Sequence, residues 1–251
     1  IVAYYGNYTL IVSKLDGLVG NLLGSTSAGV GSLIAEGNKE KILKTYWELT
    51  AIRFWIAGVF MLALYKLLPP FISLWLGTQY LMSHNVLMLV LISFFLGLVR
   101  GTNEQFILGY GLFYDIWAPF VEAIILVSVA VAGGKLWGFE GVLLGGIVSS
   151  ILIIYIWKPY MLFTKGFKLP LCRYWFPWIW QLFIMSCSFL LSGVVLSKIS
   201  YLDSVERGWL EWAICAAIIT SIHSLITFFL FFIGTSGMKS FVYRVIVKIR
   251  S

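Results

Sequence analysis

Seven charged side chains interrupt stretches that are otherwise almost entirely apolar: Lys14, Asp16, Glu48, Arg53, Arg100, Glu104 and Glu122. A charge near the centre of a bilayer costs roughly 2.5–3.5 kcal/mol on insertion scales, so each of these groups needs a partner, water or a protein interior. Asn7, Lys14 and Asn21 recur every seven residues and therefore share one helical face, which Ser25 and Ser32 continue. A face of that kind fits the wall of a hydrated cavity with Lys14 as its cation. It also fits a thin packing helix, because Gly17, Gly20, Gly24, Gly29 and Gly31 permit close approach and Gly20 and Gly24 form a GxxxG pair. Arg100 and Glu104 are four residues apart and can pair along one helix face. That pair is either self-neutralising or holds Arg100 ready for an anionic ligand. Arg53 has no obvious local partner and is a further cavity candidate. Glu122, three residues after Pro119, either binds a coupling proton or Na⁺ or pairs with a basic neighbour.

The elements that must position these groups are membrane spans. Of 251 residues 60% are hydrophobic and only 12% charged, with a mean hydropathy of +0.93. That charge content is about half of what covers a water-facing domain at about 25%, which excludes a water-soluble enzyme, a disordered chain and a nucleic-acid binder. Seven stretches reach the roughly 20 apolar residues a spanning helix requires. They run from about Tyr4 to Ile34, Tyr46 to Leu68, Val86 to Tyr110, Trp117 to Leu136, Gly141 to Met161, Trp178 to Ile199 and Trp209 to Phe232. The runs are unbroken rather than alternating, which argues against a β-barrel. The expected fold is all-α, a polytopic membrane helical bundle of about seven spans.

Basic residues set the expected orientation. Lys39, Lys41 and Lys44, then Lys158, Lys165, Lys168 and Arg173, then Lys239, Arg244, Lys248 and Arg250 fall on one side if the spans alternate, against Lys135, Lys198 and Arg207 on the other. The positive-inside rule then places the N-terminus outside and the C-terminus in the cytoplasm. Pro69-Pro70 is expected to end the second span, with Phe71–Gly77 lying at the interface. The longest hydrophilic loop is expected over Leu162–Pro177, and Phe241–Arg250 reads as a basic interfacial tail.

Other chemistries lack their residues. Cys172, Cys187 and Cys215 show no paired spacing, and His84 and His223 are too far apart in sequence to mark a zinc site, so no metal or other cofactor is expected. No nucleotide-binding loop is present. The chain begins at Ile1 without a signal-peptide pattern, and is expected to be a piece of a longer protein.

Several strings resemble bacterial polysaccharide flippases of the Wzx type, within the MATE-like multidrug/oligosaccharidyl-lipid/polysaccharide superfamily. They are Tyr4-Tyr5-Gly6-Asn7-Tyr8-Thr9-Leu10-Ile11, Gly31–Lys41, Phe71–Gly77, Asp115-Ile116-Trp117-Ala118-Pro119-Phe120-Val121-Glu122-Ala123 and Trp157-Lys158-Pro159-Tyr160. The resemblance covers residues 4 to 165. It implies that residues 1–165 form helices two to six of a C-terminal transporter lobe, and that residues 166–251 add a basic loop, two further spans and a basic tail. A missing N-terminal lobe would then be the partner that closes the cavity. The implied function is export of a polyprenyl-diphosphate-linked oligosaccharide across the bacterial inner membrane for O-antigen, capsule or exopolysaccharide synthesis. The membrane lipids and this lipid-linked substrate are the implied partners, with no nucleic acid and no enzymatic step. In that frame Lys14, Arg53 and Arg100 would meet the diphosphate or acidic sugars and Asn7 and Asn21 the hydroxyls. Glu104 would pair with Arg100, and Asp16 and Glu122 would be the candidates for ion coupling. The rivals are a drug or cation antiporter of the same superfamily, an integral-membrane glycosyltransferase or polymerase, a seven-helix receptor, and a non-transporting assembly subunit.

Overall fold

A computed structural model describes residues 2–199 and 208–250; Arg207, counted above among the basic residues, lies outside the described residues. Among the described residues there is no strand, and seven helical stretches are long and apolar enough to cross a membrane. The chain is a multi-pass helical membrane protein, since a helix satisfies its backbone N–H and C=O groups within itself where no water can. The helices are α1 (Val2–Gly24), α2 (Ser27–Glu36), α3 (Lys39–Leu76), α4 (His84–Gly109), α5 (Ala118–Trp137), α6 (Phe139–Phe167), α7 (Cys172–Leu196), α8 (Trp209–Gly234) and α9 (Ser236–Arg250). They group into two compact units, each assembled from separate stretches of chain. One holds residues 9–46 and 83–177, and the other holds the described residues of 1–8, 47–82 and 178–251.

The first unit is organised around α4, whose Leu91, Leu98 and Phe106 are almost fully buried. α5 and α6 form a hairpin turned at Gly138, whose φ of 62° and ψ of −135° suit only glycine. Their contact is set by small residues. A Cβ on Gly141 would overlap the Gly133 carbonyl, and one on Gly145 would lie 2.7 Å from the Leu126 oxygen. The spacing of Gly141 and Gly145, like that of Gly134 and Gly138, already fits a helix contact in the sequence, and here Gly141 and Gly145 bring two backbones together. α5 exposes Phe120, Ile124, Val127 and Val131, the surface that hydrocarbon would cover.

The first span differs from its expected continuous form. It breaks between α1 and α2 at Ser25-Thr26, where the Ser25 hydroxyl donates to the Leu22 carbonyl (2.9 Å) and the Thr26 hydroxyl to the Leu23 carbonyl (2.6 Å). The Gln105 amide of α4 donates to the same Leu23 carbonyl at 2.9 Å. Side chains therefore satisfy the carbonyls that a helix end leaves open, which is what lets non-helical backbone exist at this position.

The expected loop over Leu162–Pro177 is also corrected. α6 continues to Phe167 through π-helical turns at Ile151–Trp157 and Leu162–Phe167, and α7 begins at Cys172. Packing overrides the polar composition here. Phe163 packs edge-to-face with Phe167 and at a tilt with Tyr174, at centroid distances of 5.0 and 5.4 Å, and both Phe163 and Tyr174 are fully buried.

In the second unit Pro69-Pro70 does not end the second span; α3 runs on to Leu76 with both prolines inside it. Each proline removes an N–H that would bond four residues back. The turn beyond them is held by other contacts: Phe71 packs on Trp209 and Trp212 at 5.6 and 5.2 Å, and the Trp212 indole donates to the Leu67 carbonyl at 3.1 Å. Leu62, Ala63, Leu67, Leu196 and Ile219 form a core cluster of α3, α7 and α8. His223 is fully buried in the same unit. Its Nε2 donates to the Gly58 carbonyl (3.1 Å) and its Nδ1 accepts from the Ser192 hydroxyl (2.7 Å), with the tautomer assigned from those partners. That histidine is a structural pin between α3, α7 and α8.

Candidate functional site

α4 carries a polar stripe on the side opposite its buried face. Ser93, Arg100 and Glu104 are exposed and Gly97 is half-exposed, at positions i, i+7, i+11 and i+4 of one helix face. The Arg100 guanidinium reaches Glu104 Oε1 at 3.3 Å, with the two side chains 44% and 53% exposed. Spacing alone predicts this pair, and the structure forms it.

Beside the stripe lies a cavity of about 270 Å³ lined by Ser93, Gly97 and Arg100 of α4 and by Gly146, Ser150 and Tyr155 of α6. Its α4 lining falls about 14 to 24 Å along a helix about 39 Å long, at 1.5 Å per residue. This is the middle of the span. Tyr155 stands in the first π-helical turn of α6 and donates to the Leu96 carbonyl, fixing the wall it belongs to. π turns inside α-helices occur frequently at functional sites.

Asp16 of α1 approaches the same face: its Oδ1 lies 3.8 Å from where a Cβ on Gly97 would sit, an ordinary van der Waals separation. Asp16 is exposed and forms no ion pair among the described residues. Arg100 is thus the charged residue in the lining of this cavity, with Glu104 paired to it one turn further along α4 and Asp16 near Gly97.

The remaining predicted residues lie elsewhere. Lys14 and Asn21 are exposed on the side of α1 facing away from its buried Val12 and Val19, and Asn7 is half-buried. Glu122 is half-buried on α5 without an ion pair among the described residues. Arg53 belongs to the second unit and is buried, with 6% of its surface exposed.

Comparison with known proteins gives no family. No family model matches the chain, and neither a curated protein nor a solved structure matches it.

Three polar nodes escaped the sequence reading. Asp115, almost buried, is held by Lys158 Nζ at 2.7 Å and by the Trp157 indole at 3.1 Å, and Trp117 packs on Trp157 at 4.8 Å. Two strings noted separately in the sequence therefore meet in the first unit, and Lys158 is a paired helix residue rather than a loop cation. In the second unit Glu48 is buried beneath α9. Arg244 reaches its Oε2 at 2.9 Å and Ser240 donates to its Oε1. The third is the Gln105 contact at the α1–α2 break, for which the run Gly24-Ser25-Thr26-Ser27 was a readable turn signal.

An arginine at mid-span with carboxylates near it can hold a polar headgroup where hydrocarbon cannot. Guanidinium offers a planar fork of donors to phosphate oxygens. Carboxylates accept from hydroxyls or take up a proton.

Proposed function

We propose that this protein is a membrane transporter that moves a polyprenyl-diphosphate-linked oligosaccharide across the bacterial inner membrane, in the manner of the polysaccharide flippases that its sequence resembles. The observation that carries the reading is the exposed Arg100 in the lining of a mid-span cavity, paired with Glu104, with Asp16 near the Gly97 of the same lining. Ionisable groups so deep in a bilayer mark a substrate or ion pathway. The broken first span supports the same reading, because discontinuous helices frame the sites of many transporters. In this reading Arg100 takes the diphosphate and Glu104 orients the guanidinium. Asp16 receives a sugar hydroxyl or a coupling cation, and the chain performs no covalent chemistry. In this reading the C-terminus is cytoplasmic, an orientation that the distribution of Lys and Arg supports.

A cation or drug antiporter is the second reading, favoured by the two carboxylates, Glu104 beside Arg100 and Asp16 near Gly97, against the one arginine in the lining. Reconstituted vesicles separate the two. Flipping of a short-chain polyprenyl-diphosphate disaccharide is followed by its accessibility to an added glycosidase, and efflux of a cationic dye is followed in parallel. A charge-assisted hydrogen bond contributes about 1.5–3 kcal/mol, so Arg100→Ala is expected to lower sugar-lipid flux about 10- to 100-fold with insertion unchanged. Sugar-lipid flux indifferent to Arg100→Ala, together with dye efflux abolished by Asp16→Asn, overturns the flippase reading in favour of the antiporter.

A further inference from the structure

The first unit contains a second and larger cavity, of about 410 Å³, where α2 and α4 end, α3 begins and α6 ends. Its wall is mostly apolar, with Ile34, Leu43 and Phe167 among the lining residues, while Lys39 and Lys168 stand in the same lining with one carboxylate, Glu40. Left-handed residues bring the two lysines there. Gly37 (φ 75°) closes α2 just before Lys39, and Lys168 itself takes φ 56° at the end of α6. Neither lysine forms an ion pair among the described residues, whereas the nearby Lys41 is neutralised by Glu36 at 2.7 Å.

An apolar pocket at the end of spanning helices, with two unneutralised ammonium groups against one carboxylate, matches one kind of molecule. The ligand must carry a phosphodiester anion on a hydrocarbon body, at the depth where lipid headgroups lie. The volume is in the range of small-molecule sites. We infer that this cavity binds the headgroup and proximal acyl chain of an anionic glycerophospholipid, with Lys39 and Lys168 on the phosphate and Leu43 and Phe167 against the chain. The site is separate from the mid-span cavity and does not depend on what that cavity carries.

The test uses the full chain, delipidated in neutral detergent, with phosphatidylglycerol, phosphatidylcholine or inorganic phosphate added back. Retained lipid is counted by native mass spectrometry, and thermal unfolding is followed alongside. Phosphatidylglycerol is expected to be retained at least five-fold over phosphatidylcholine and to raise the melting temperature, while inorganic phosphate does neither. The double substitution Lys39→Gln, Lys168→Gln is expected to bring the preference near unity, and Lys239→Gln, which removes one charge on α9, to leave it unchanged. Leu43→Trp, which fills the apolar part, is expected to lower retention with both lysines intact. Equal retention of the two lipids by the parent protein, a preference surviving the double substitution, or the same stabilisation by inorganic phosphate would each overturn the assignment.

Discussion

Removing Arg244 is expected to destabilise the second unit well beyond what a basic tail residue costs. Glu48 has only 3% of its side chain exposed, and Arg244 Nη2 lies 2.9 Å from its Oε2. At an effective dielectric of about 20, unit charges at that separation attract by about 6 kcal/mol. Two effects reduce the net value. The Arg244 side chain is 53% exposed, so water screens it, and Ser240 continues to donate to Glu48 Oε1 in its absence. Losing one partner of a fully buried pair costs about 3–5 kcal/mol. With half of the pair in solvent, about 2 kcal/mol is expected for Arg244→Ala. Glu48→Gln keeps an acceptor and loses only charge, so about 1 kcal/mol is expected there. Because the carboxylate is the group left stranded, Arg244→Ala on a Glu48→Gln background should cost much less than on the parent, a coupling of about 1 kcal/mol. Reversible unfolding in mixed micelles, read by helical circular dichroism, measures all four proteins. A coupling below about 0.3 kcal/mol, or an Arg244→Ala protein as stable as its parent, refutes the reasoning that α9 is locked to α3 through Glu48.

Asp115→Ala strands Lys158, whose side chain is only 24% exposed, and is expected to cost about 3 kcal/mol; adding Lys158→Met should restore part of that. The same unfolding assay checks it, and no recovery in the double substitution would show that the pair is not the relevant contact. Gly141→Leu forces α5 and α6 apart where a Cβ already overlaps the Gly133 carbonyl, whereas Gly146→Ala points into open space. The first is expected to cost about 3 kcal/mol or more and the second to be near neutral, as thermal unfolding of the two proteins would show.

Composition and span length were enough to establish the all-helical membrane class. Hydrocarbon imposes a requirement that any 20-residue apolar run must meet in the same way, whatever its neighbours. The i, i+4 pairing of Arg100 with Glu104 was legible for a similar reason, since both groups sit on one helix face. The glycines of the α5–α6 hairpin were legible as contact points because only a residue without Cβ lets two helix backbones touch.

What depended on distant contacts was not legible. Asp16 comes close to Gly97, eighty-one residues further along the chain, only because α1 and α4 pack in three dimensions. Lys158 and Arg244 read as solvent-facing cations until Asp115 and Glu48 arrive from other helices to neutralise them. Pro69-Pro70 and the segment after Met161 read as helix stops by local chemistry, and the aromatic packing of Phe71 and of Phe163 with Tyr174 reverses that preference. Local propensity differs by only a few kcal/mol between conformations, and buried contacts of this size decide it. Membership of the membrane class therefore belonged to the sequence by itself, while the choice of which charges are spent on structure and which remain open to a ligand belonged to the tertiary structure.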